Sequence, residues 1–356
     1  MRRVGTRARA AVVVPTFNEA PNLPDLVRRV CEALPDVEIV VVDDASPDGT
    51  ADVAESLAEK FPVRVIRREG ERGLSSAVLR GLSESRAEIC VVMDADLGHP
   101  PGTIPELVKA VEGGADVAIG SRTAPGGAID EWPGYRRLAS KAGTLLARPL
   151  TGVRDPLSGF FCLRAKLLEG VQLRPRGFKI LLEILARTHP ARVVEVPIRF
   201  ENRGAGRSKF GSRERREYLA QIWTLYRDLN AWPWCVAKFL VTGFLGYLVH
   251  MAVMAGVVKF LGGRPNIEGA VAGFAVAMTS NYLINRRWTF RARHVGLTSS
   301  YLKYASSAVA GLGIQIGVMT LLRAHPWAWA ATLGIIAGTV CNFLLSYLWT
   351  FPKRTT

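Results

Sequence analysis

The chain has 356 residues, more than one ordinary core needs, which predicts two domains. Its 46 Lys and Arg outnumber 31 Asp and Glu, and the net charge of +15 suits nucleic acid, an anionic membrane or a phosphorylated substrate. We expect no nucleic acid, because the sequence has neither an aromatic-rich RNA motif nor zinc-ligand spacing, and its last third is strongly apolar. The five cysteines are scattered without a CxxC pair, which predicts reduced structural thiols.

The first 230 residues alternate short apolar runs with segments of helical apolar spacing. This alternation predicts an α/β domain with a mostly parallel, Rossmann-like sheet. The basic N-terminus leads into an apolar run that is too short for a signal peptide, so we expect this domain to stay in the cytoplasm. The predicted strands are residues 10–19, 37–46, 63–68 and 88–96, and the predicted helices are residues 25–34, 49–61 and 73–85.

Polar side chains recur where these predicted strands end. In parallel sheets the ligand lies at the carboxyl ends of the strands. A single acid after a strand is more often a helix cap or a turn former, but several acidic strand ends on one edge favour a binding site. These side chains are Asn18, Glu19, Asp43, Asp44, Asp94 and Asp96.

The stretch VVMDADLGHPP (residues 91–101) gives the sharpest chemical signal. Side chains at positions i and i+2 of a strand point to the same side, so we expect Asp94 and Asp96 to address one site. Two carboxylates suit Mg²⁺ or Mn²⁺, which often bridge to substrate phosphates. A DxD motif alone is a weak signal of metal binding. A DxD motif that follows the segments VPTFNE and VVDDASPDGT in one α/β unit is a strong signal.

The motifs VVPTFNEAPNL, VVDDASPDGTAD, MDADLGHPP, GSR and DPLSGFF follow one another in this order. Over roughly residues 10–230 the sequence resembles glycosyltransferase family 2 enzymes of the GT-A fold, most of all dolichol-phosphate mannose synthases and related polyprenyl-phosphate glycosyltransferases. The resemblance implies inverting transfer of one sugar to dolichyl or polyprenyl phosphate. The expected donor is GDP-mannose, and UDP-glucose is the alternative. No QxxRW motif of processive synthases follows Gln172, Gln221 or Gln315, which favours a single transfer.

The same resemblance assigns the donor side of the site. A divalent metal, Mg²⁺ or Mn²⁺, would be held by Asp94 and Asp96. Gly98 stands where the family often has a metal-binding Gln, so water or His99 is expected to complete the metal site; Ser75 is a second departure, from the more frequent Gly. The residues implied to bind the sugar nucleotide are Pro15, Phe17, Glu19, Val42, Asp44, Asp94, Ala95, Asp96, Lys179, Arg203 and Lys209. Lys179 would neutralise either the donor phosphate or the acceptor phosphate.

The acceptor side is implied by the resemblance in the same way. Arg122, Arg136 and Ser140 would bind the acceptor phosphate, and the planar fork of Arg suits phosphate oxygens, although a basic run is commonly just a solvated face. Residues 201–211 look like the family's flexible lid. The acceptor phosphate, with a second pKa of about 6, is a nucleophile that requires no strong base. Asp155 or Asp96 is the candidate if a base acts; the implied catalytic set is Asp94, Asp96, Arg122 and Asp155.

The last third predicts an all-α membrane domain. Its four apolar segments, each near the length that a bilayer helix needs, are residues 239–258, 267–284, 304–322 and 328–348. Basic residues between the second and third segments and in the tail predict cytoplasmic termini and a multi-pass protein of the cell membrane.

An internal repeat supports this domain. Residues 238–290 match residues 303–351, and the tandem pair resembles GtrA-like membrane domains. We expect a catalytic domain at 1–211, an amphipathic interfacial linker at 212–235 and a membrane domain at 236–356. A lipid-linked-sugar translocator with a binding-only soluble domain is the rival function, and a nucleotidyltransferase would leave the four spans unexplained.

Overall fold

The computed structural model describes residues 9–129, 134–174, 177–200, 211–260 and 267–352. The chain divides into two compact units, Met1–Leu229 and Asn230–Thr356. All five cysteines are free thiols, as the sequence predicts.

The described strands of the first unit are short and mainly apolar. They are β1 (Ala10–Thr16), β2 (Val37–Asp43), β3 (Val63–Arg67), β4 (Ile89–Val92), β5 (Val117–Ser121), β6 (Ala128–Ile129), β7 (Phe161–Arg164), β8 (Val193–Pro197) and β9 (Arg199–Phe200). Seven form one sheet in the order β3-β2-β1-β4-β7-β5-β8, and β6 pairs with β9 separately. Strand β7 runs antiparallel to β4 and β5, whereas all other pairs are parallel. The prediction of a mostly parallel sheet is confirmed.

Helices of the first unit cover both faces of this sheet. On one face, Leu26 of α1 and Leu107 of α4 join a fully buried cluster with Val12 of β1. On the other face, Val78 of α3 and Leu181 of α6 pack against Val13. The layers therefore form the predicted α/β GT-A (Rossmann-like) arrangement. The helices are α1 (Leu23–Ala33), α2 (Thr50–Leu57), α3 (Leu74–Glu84), α4 (Ile104–Glu112), α5 (Gly134–Ala147), α6 (Ile180–Thr188) and α7 (Ser212–Asp228).

The second unit is helical and strongly apolar. Three helices of its described part are long and apolar enough to cross a membrane: Trp232–Phe260, Leu297–Leu321 and Trp329–Thr350. The remaining predicted segment is helical but is not among these three, so the four-span topology stays a prediction. The helices are α8 (Trp232–Phe260), α9 (Ile267–Ile284), α10 (Leu297–Leu321) and α11 (Trp327–Leu345), with π-helical turns at Asn285–Thr289 and Ser346–Thr350.

The internal repeat corresponds to two helical hairpins with equivalent contacts. Helix α8 packs against α9, and α10 packs against α11. Phe239 of α8 lies 5.5 Å from Phe343 of α11, ring centroid to ring centroid. The repeat-equivalent residues, Tyr304 of α10 and Tyr282 of α9, are 5.7 Å apart. The two hairpins therefore contact each other reciprocally, as the halves of a pseudo-two-fold arrangement do.

Each half of the internal repeat ends in a Trp-Thr-Phe motif, at residues 288–290 and 349–351. The phenylalanines of the two motifs contact each other where the hairpins meet. The rings of Phe290 and Phe351 stack with centroids 5.0 Å apart and an interplanar angle of 20°. Each ring also contacts the first helix of its own hairpin, at 6.2 Å from Phe239 and 6.1 Å from Tyr304. Equivalent residues thus form one shared contact at the pseudo-symmetry axis.

The equivalent lysines of the two hairpins differ in their contacts. The Lys238 ammonium is buried and donates to Asn230 Oδ1 at 2.6 Å, to the Trp288 carbonyl at 2.6 Å and to the Thr289 carbonyl at 2.9 Å. Lys303 is partly exposed and lies 5.6 Å above the Trp349 ring. The first lysine therefore caps the carbonyl end of its own hairpin, and the second has only the aromatic contact among the described residues.

Candidate active site

The site lies at the edge of the sheet where the parallel strands β1, β2, β4 and β5 end. Their last residues are Thr16, Asp43, Val92 and Ser121. Because neighbouring parallel strands run in the same direction, the residues that follow them collect at one edge. The polar residues that follow these strands therefore lie at one edge, as the sequence predicted, and ligand binding at that edge stays a prediction.

The DxD motif follows β4 in a loop and is not part of the strand. Strand β4 ends at Val92, so the alternation of a strand cannot orient Asp94 and Asp96, and that part of the prediction is wrong. Leu97 has a left-handed backbone (φ 61°), and the Gly98 N–H donates to Asp96 Oδ1 at 3.0 Å. A tight turn closed on Asp96 therefore sets the orientation of the Asp96 carboxylate. Asp96 is buried, whereas the Asp94 side chain is 34% exposed.

His99 is fixed behind this loop. Its Nδ1 accepts the Asp94 N–H at 3.3 Å, and its ring stacks on Phe160 and meets Phe200 edge-on. Burial lowers the pKa of His99 to about 4, so the imidazole is neutral at pH 7. With Nδ1 accepting, the proton lies on Nε2. The His99 ring therefore supports the DxD loop, because its Nδ1 accepts a hydrogen bond from the loop backbone and is not available to a metal ion.

Gly98 is required by its neighbours. A Cβ at this position would lie 2.9 Å from Phe200 Cζ and 3.1 Å from Asp96 Oδ1. A longer side chain at position 98 would have to displace the Phe200 ring. The departure from the family's Gln is therefore matched by an aromatic residue of β9 that fills the space.

The donor atoms fit a divalent cation that also binds phosphate. Asp94 and Asp96 supply carboxylate oxygens in one loop, and the described residues contain no cluster of three or more His, Cys, Asp or Glu side chains. Mg²⁺ and Mn²⁺ accept such a set, since one or two carboxylates commonly hold them while waters and substrate phosphates complete the shell. Asp94 and Asp96 would hold the cation.

The residues predicted for the nucleoside pocket divide into two groups, of which the first lies around the end of β1. Pro15 is in β1, and the guanidinium of Arg72 lies 5.5 Å from the centroid of the half-exposed Phe17 ring. The Glu19 N–H donates to Thr50 Oγ1, and Glu19 Oε2 accepts from Asn22. Pro15, Phe17 and Glu19 lie at the carboxyl end of β1 or directly after it.

The second group is more enclosed than the sequence suggested. Val42 is fully buried in the core, and Ala95 is likewise in the core, so their side chains do not line a pocket. Asp44 is buried and accepts from Arg68 Nε at 2.7 Å and from the Gly73 N–H at 2.8 Å. Contacts from Val42 and Ala95 to a nucleotide would come from the backbone, and Asp44 has an internal partner.

Arg122 and Asp155 form the central ion pair of the acceptor side. Asp155 Oδ2 accepts from Arg122 Nε at 2.8 Å and from its backbone N–H at 3.0 Å, and Asp155 Oδ1 accepts from Arg122 Nη2 at 2.8 Å. Burial would raise the pKa of Asp155, but the Arg122 guanidinium outweighs burial and the net shift is downward. An ionised, fully hydrogen-bonded carboxylate orients Arg122 better than it removes a proton.

Lys179 joins this group from the start of α6. Its ammonium donates to the Leu157 carbonyl at 2.8 Å. Burial and the neighbouring Arg122 lower the pKa of Lys179 to about 8, while Asp94 and Asp155 oppose that shift. Lys179 therefore shares one electrostatic environment with the DxD loop and the Arg122–Asp155 pair.

Helix α5 presents two different faces. Arg136 and Ser140, one turn apart, are half-buried, whereas Tyr135, Leu138 and Leu145 are between 64% and 77% exposed. Helix α5 lies close to the segment that Lys179 contacts: a Cβ at Gly143 would lie 3.3 Å from Leu157 Cδ1, and the Lys179 ammonium donates to the Leu157 carbonyl. The predicted ligands Arg203 and Lys209 lie outside the described residues.

Three side chains at the site were not expected from the sequence. They are Arg68, which pairs with Asp44; Phe200, whose ring lies 5.8 Å from the Arg122 guanidinium; and Glu195, which accepts the backbone N–H groups of Arg154 and Asp155 at 3.0 Å each. Arg68 could have been suspected because it follows β3 at the same edge. The other two depend on pairings with distant segments.

Family models match two parts of the chain. Residues 11–171 match "Glycosyl transferase family 2", and residues 238–351 match "GtrA/DPMS, transmembrane domain". The second match covers the two hairpins of the second unit.

Relatives of known activity are similar over long stretches. A dolichol-phosphate mannosyltransferase of Pyrococcus furiosus is 40% identical over 324 residues, which cover 88% of this chain and 90% of that protein. A dolichol-phosphate mannosyltransferase of Saccharomyces cerevisiae is 42% identical over 61% of this chain and 86% of its own length. A polyprenol monophosphomannose synthase of Mycolicibacterium smegmatis is 40% identical over 60% and 85%. Glucosyl-3-phosphoglycerate synthase from Mycobacterium tuberculosis, solved with Mn²⁺ and UDP-glucose, shows a weaker likeness, with 21% identity over 61% of this chain and 78% of that one and a TM-score of 0.47.

Proposed function

Because the chain belongs to glycosyltransferase family 2 and ends in a GtrA/DPMS transmembrane domain, we propose that it transfers one mannose from a nucleotide sugar to a dolichyl or polyprenyl phosphate. The products are a lipid-phosphate-linked mannose and a nucleoside diphosphate. GDP-mannose is the proposed donor. The observation that carries the proposal is the proximity of the Asp94–Asp96 loop to residues 155–159 at one edge of the sheet: a Cβ at Gly159 would lie 2.9 Å from Asp94 Oδ2. Asp155 and Leu157 of the same segment bind Arg122 and Lys179, respectively.

Charge complementarity assigns the two substrates to two sides of this edge. Asp94 and Asp96 would hold a divalent cation, Mg²⁺ or Mn²⁺, which would neutralise the donor diphosphate and stabilise it as the leaving group. Arg122, with its guanidinium fixed by Asp155, binds the acceptor phosphate together with Arg136 and Ser140. Lys179 adds a cation between the two.

The acceptor phosphate is its own nucleophile. It is ionised near neutral pH, since its second pKa is about 6, and one of its oxygens attacks the anomeric carbon as the bond to the diphosphate breaks. Attack from the side opposite the leaving group inverts the anomeric configuration. Asp155 is not the base in this proposal, because Arg122 engages both of its oxygens.

The apolar helices of the second unit support a reaction at a lipid surface. The three apolar helices give the chain its bilayer contact, and we place the catalytic unit and both termini on the cytoplasmic side. Helix α7 has exposed apolar side chains at Leu219 and Trp223, 53% and 56% accessible, which suit the leaflet surface. A polyprenyl chain can then remain in lipid while its phosphate enters the site.

The test is transfer of radiolabelled sugar to a short polyprenyl phosphate by the full chain in detergent. GDP-mannose and UDP-glucose are compared, each with Mn²⁺, with Mg²⁺ and with EDTA. We expect a lipid-linked product from GDP-mannose that EDTA abolishes. A product from UDP-glucose alone would replace the sugar, and bound nucleotide without any product would favour a translocator.

A further inference from the structure

Helix α7, the last helix of the first unit, holds α5 by two tyrosines. The Tyr218 hydroxyl donates to the Gly143 carbonyl at 2.6 Å, and the Tyr226 hydroxyl donates to the Leu146 carbonyl at 2.5 Å. Leu146 is in the last turn of α5, where carbonyls have no partner within the helix. A Cβ at Gly143 would come within 3.3 Å of Leu157 Cδ1, so α5 also lies close against the loop that contains Leu157.

The same helix holds the backbone of Lys179. Gln221 is 2% exposed, and its Nε2 donates to the Lys179 carbonyl at 3.1 Å. Lys179 precedes α6 with a non-helical backbone (φ −110°, ψ 63°), so the helix itself does not fix it. The Lys179 ammonium in turn donates to the Leu157 carbonyl. Gln221 therefore fixes the backbone of Lys179, while the ammonium of the same residue contacts the loop that contains Leu157.

Packing alone does not explain why a glutamine is buried at position 221, since its side-chain amide loses hydrogen bonds to water on burial. Its Oε1 is buried and has no hydrogen-bond partner among the described residues. An unsatisfied buried acceptor costs about 1–3 kcal/mol, which a leucine of similar size would avoid. Within the described part of the chain, the one hydrogen bond of the Gln221 side chain is the bond from Nε2 to the Lys179 carbonyl.

We propose that Gln221 and Tyr218 are positioning residues for the acceptor phosphate: α7 sets the spacing between α5, which carries Arg136 and Ser140, and Lys179. This inference rests on the proposed function, because the acceptor phosphate is the ligand concerned. It adds that the acceptor site is completed by a helix that lies beyond residues 11–171, the part matched by the glycosyltransferase model.

The experiment compares variants of the full chain in detergent with GDP-mannose and a short polyprenyl phosphate. Gln221→Leu removes the bond to Lys179, and Tyr218→Phe removes one bond to α5. Thr224→Val is the matched control, since Thr224 is also buried on α7 but its hydroxyl, as far as the structure describes the chain, donates only to the Ala220 carbonyl of its own helix. We expect the acceptor KM to rise on the order of tenfold in Gln221→Leu and about threefold in Tyr218→Phe, the effect of one lost hydrogen bond.

The donor side gives the readout that separates positioning from general damage. We expect the donor KM, nucleotide affinity and thermal midpoint to stay within about twofold or a few degrees of the wild type, as in Thr224→Val. Equal rises in both KM values, or an unchanged acceptor KM, would overturn the inference while the proposed function stands. A wild-type chain that forms no lipid-linked product from any donor would overturn both.

Discussion

Each unit of this chain has a lysine whose ammonium donates to backbone carbonyls, but the two lysines form different numbers of hydrogen bonds. In the first unit, the Lys179 ammonium donates to one carbonyl, that of Leu157, among the described residues. In the second unit, Lys238 donates to three acceptors, all within its own unit. An ammonium has three donors, so Lys238 uses its full capacity on the fold and Lys179 retains capacity for a ligand. The comparison predicts that Lys179 can bind a ligand with its remaining donors, whereas Lys238 serves only the fold.

The largest effect on activity is expected in the first unit, when a charged side chain proposed to hold the metal is removed. We expect Asp96→Ala to lower metal-dependent turnover about a thousandfold, because several kcal/mol of leaving-group stabilisation are lost. The fold should persist, as judged by the thermal midpoint. Asp52→Ala, which removes a 74% exposed carboxylate on α2, is the control with near-normal activity. Near-normal turnover of Asp96→Ala would refute the metal assignment.

A smaller effect is expected when the side chain at position 122 keeps its positive charge but loses the planar shape of the guanidinium. Arg122→Lys retains a cation but cannot contact both Asp155 oxygens with a planar fork. We expect a fall of about 10- to 100-fold in kcat/KM for the acceptor, corresponding to about 1.4–2.7 kcal/mol. Steady-state kinetics with varied acceptor measures it. A fall confined to the donor KM would place Arg122 on the other side of the site.

The pH dependence sharpens the comparison on the Lys179 side. The pKa of Lys179 is about 8, and it faces Arg122, Arg136, Asp94 and Asp155. The acceptor phosphate binds more tightly when Lys179 is protonated. The affinity for the acceptor should therefore be highest below pH 8 and should fall as the pH rises through and above 8. The acceptor KM measured from pH 6.5 to 9.5 should rise up to about tenfold per pH unit at the upper end.

Lys179→Arg is the control, because arginine stays protonated over that range. Its acceptor KM should be flat from pH 7 to pH 9.5. The same upward slope in the variant would assign the titration to another group.

The smallest effect on activity is expected in the second unit, where the lysine supports the fold. Lys238→Met leaves Asn230 and two carbonyls without their donor and should destabilise the chain by about 1–3 kcal/mol. Lys303→Met loses only a cation–π contact with Trp349, worth about 0.5–1 kcal/mol at an exposed site. Thermal unfolding in detergent should rank the two variants in this order, with turnover below the transition little changed. Equal destabilisation would contradict the assigned difference between the hairpins.

The sequence was a good guide where neighbouring residues decide the structure. The apolar runs predicted β1 to β4, and polar residues after them predicted the edge that carries the site. It was a poor guide where the chain turns: β4 ends at Val92, and the orientation of Asp96 comes from a left-handed Leu97 and a hydrogen bond to Gly98. A period-2 argument cannot foresee such a turn.

Contacts between distant segments account for the other differences. Phe200 fills the space beside Gly98, and Glu195 holds the backbone next to Asp155, about forty residues away. Val42 is in the core because the sheet packs α3 against it at Gly81. Each of these depends on which strand pairs with which, and local patterns contain no record of that pairing.

The stacked pair Phe290–Phe351 has a consequence for assembly. Equivalent residues meet at the pseudo-symmetry axis, so the contact between the hairpins is isologous: each half presents the same patch to the other. An isologous contact is satisfied by two partners and leaves no copy of the patch for a third. The two hairpins therefore form a closed pair, and a further hairpin could not be added through the same surface.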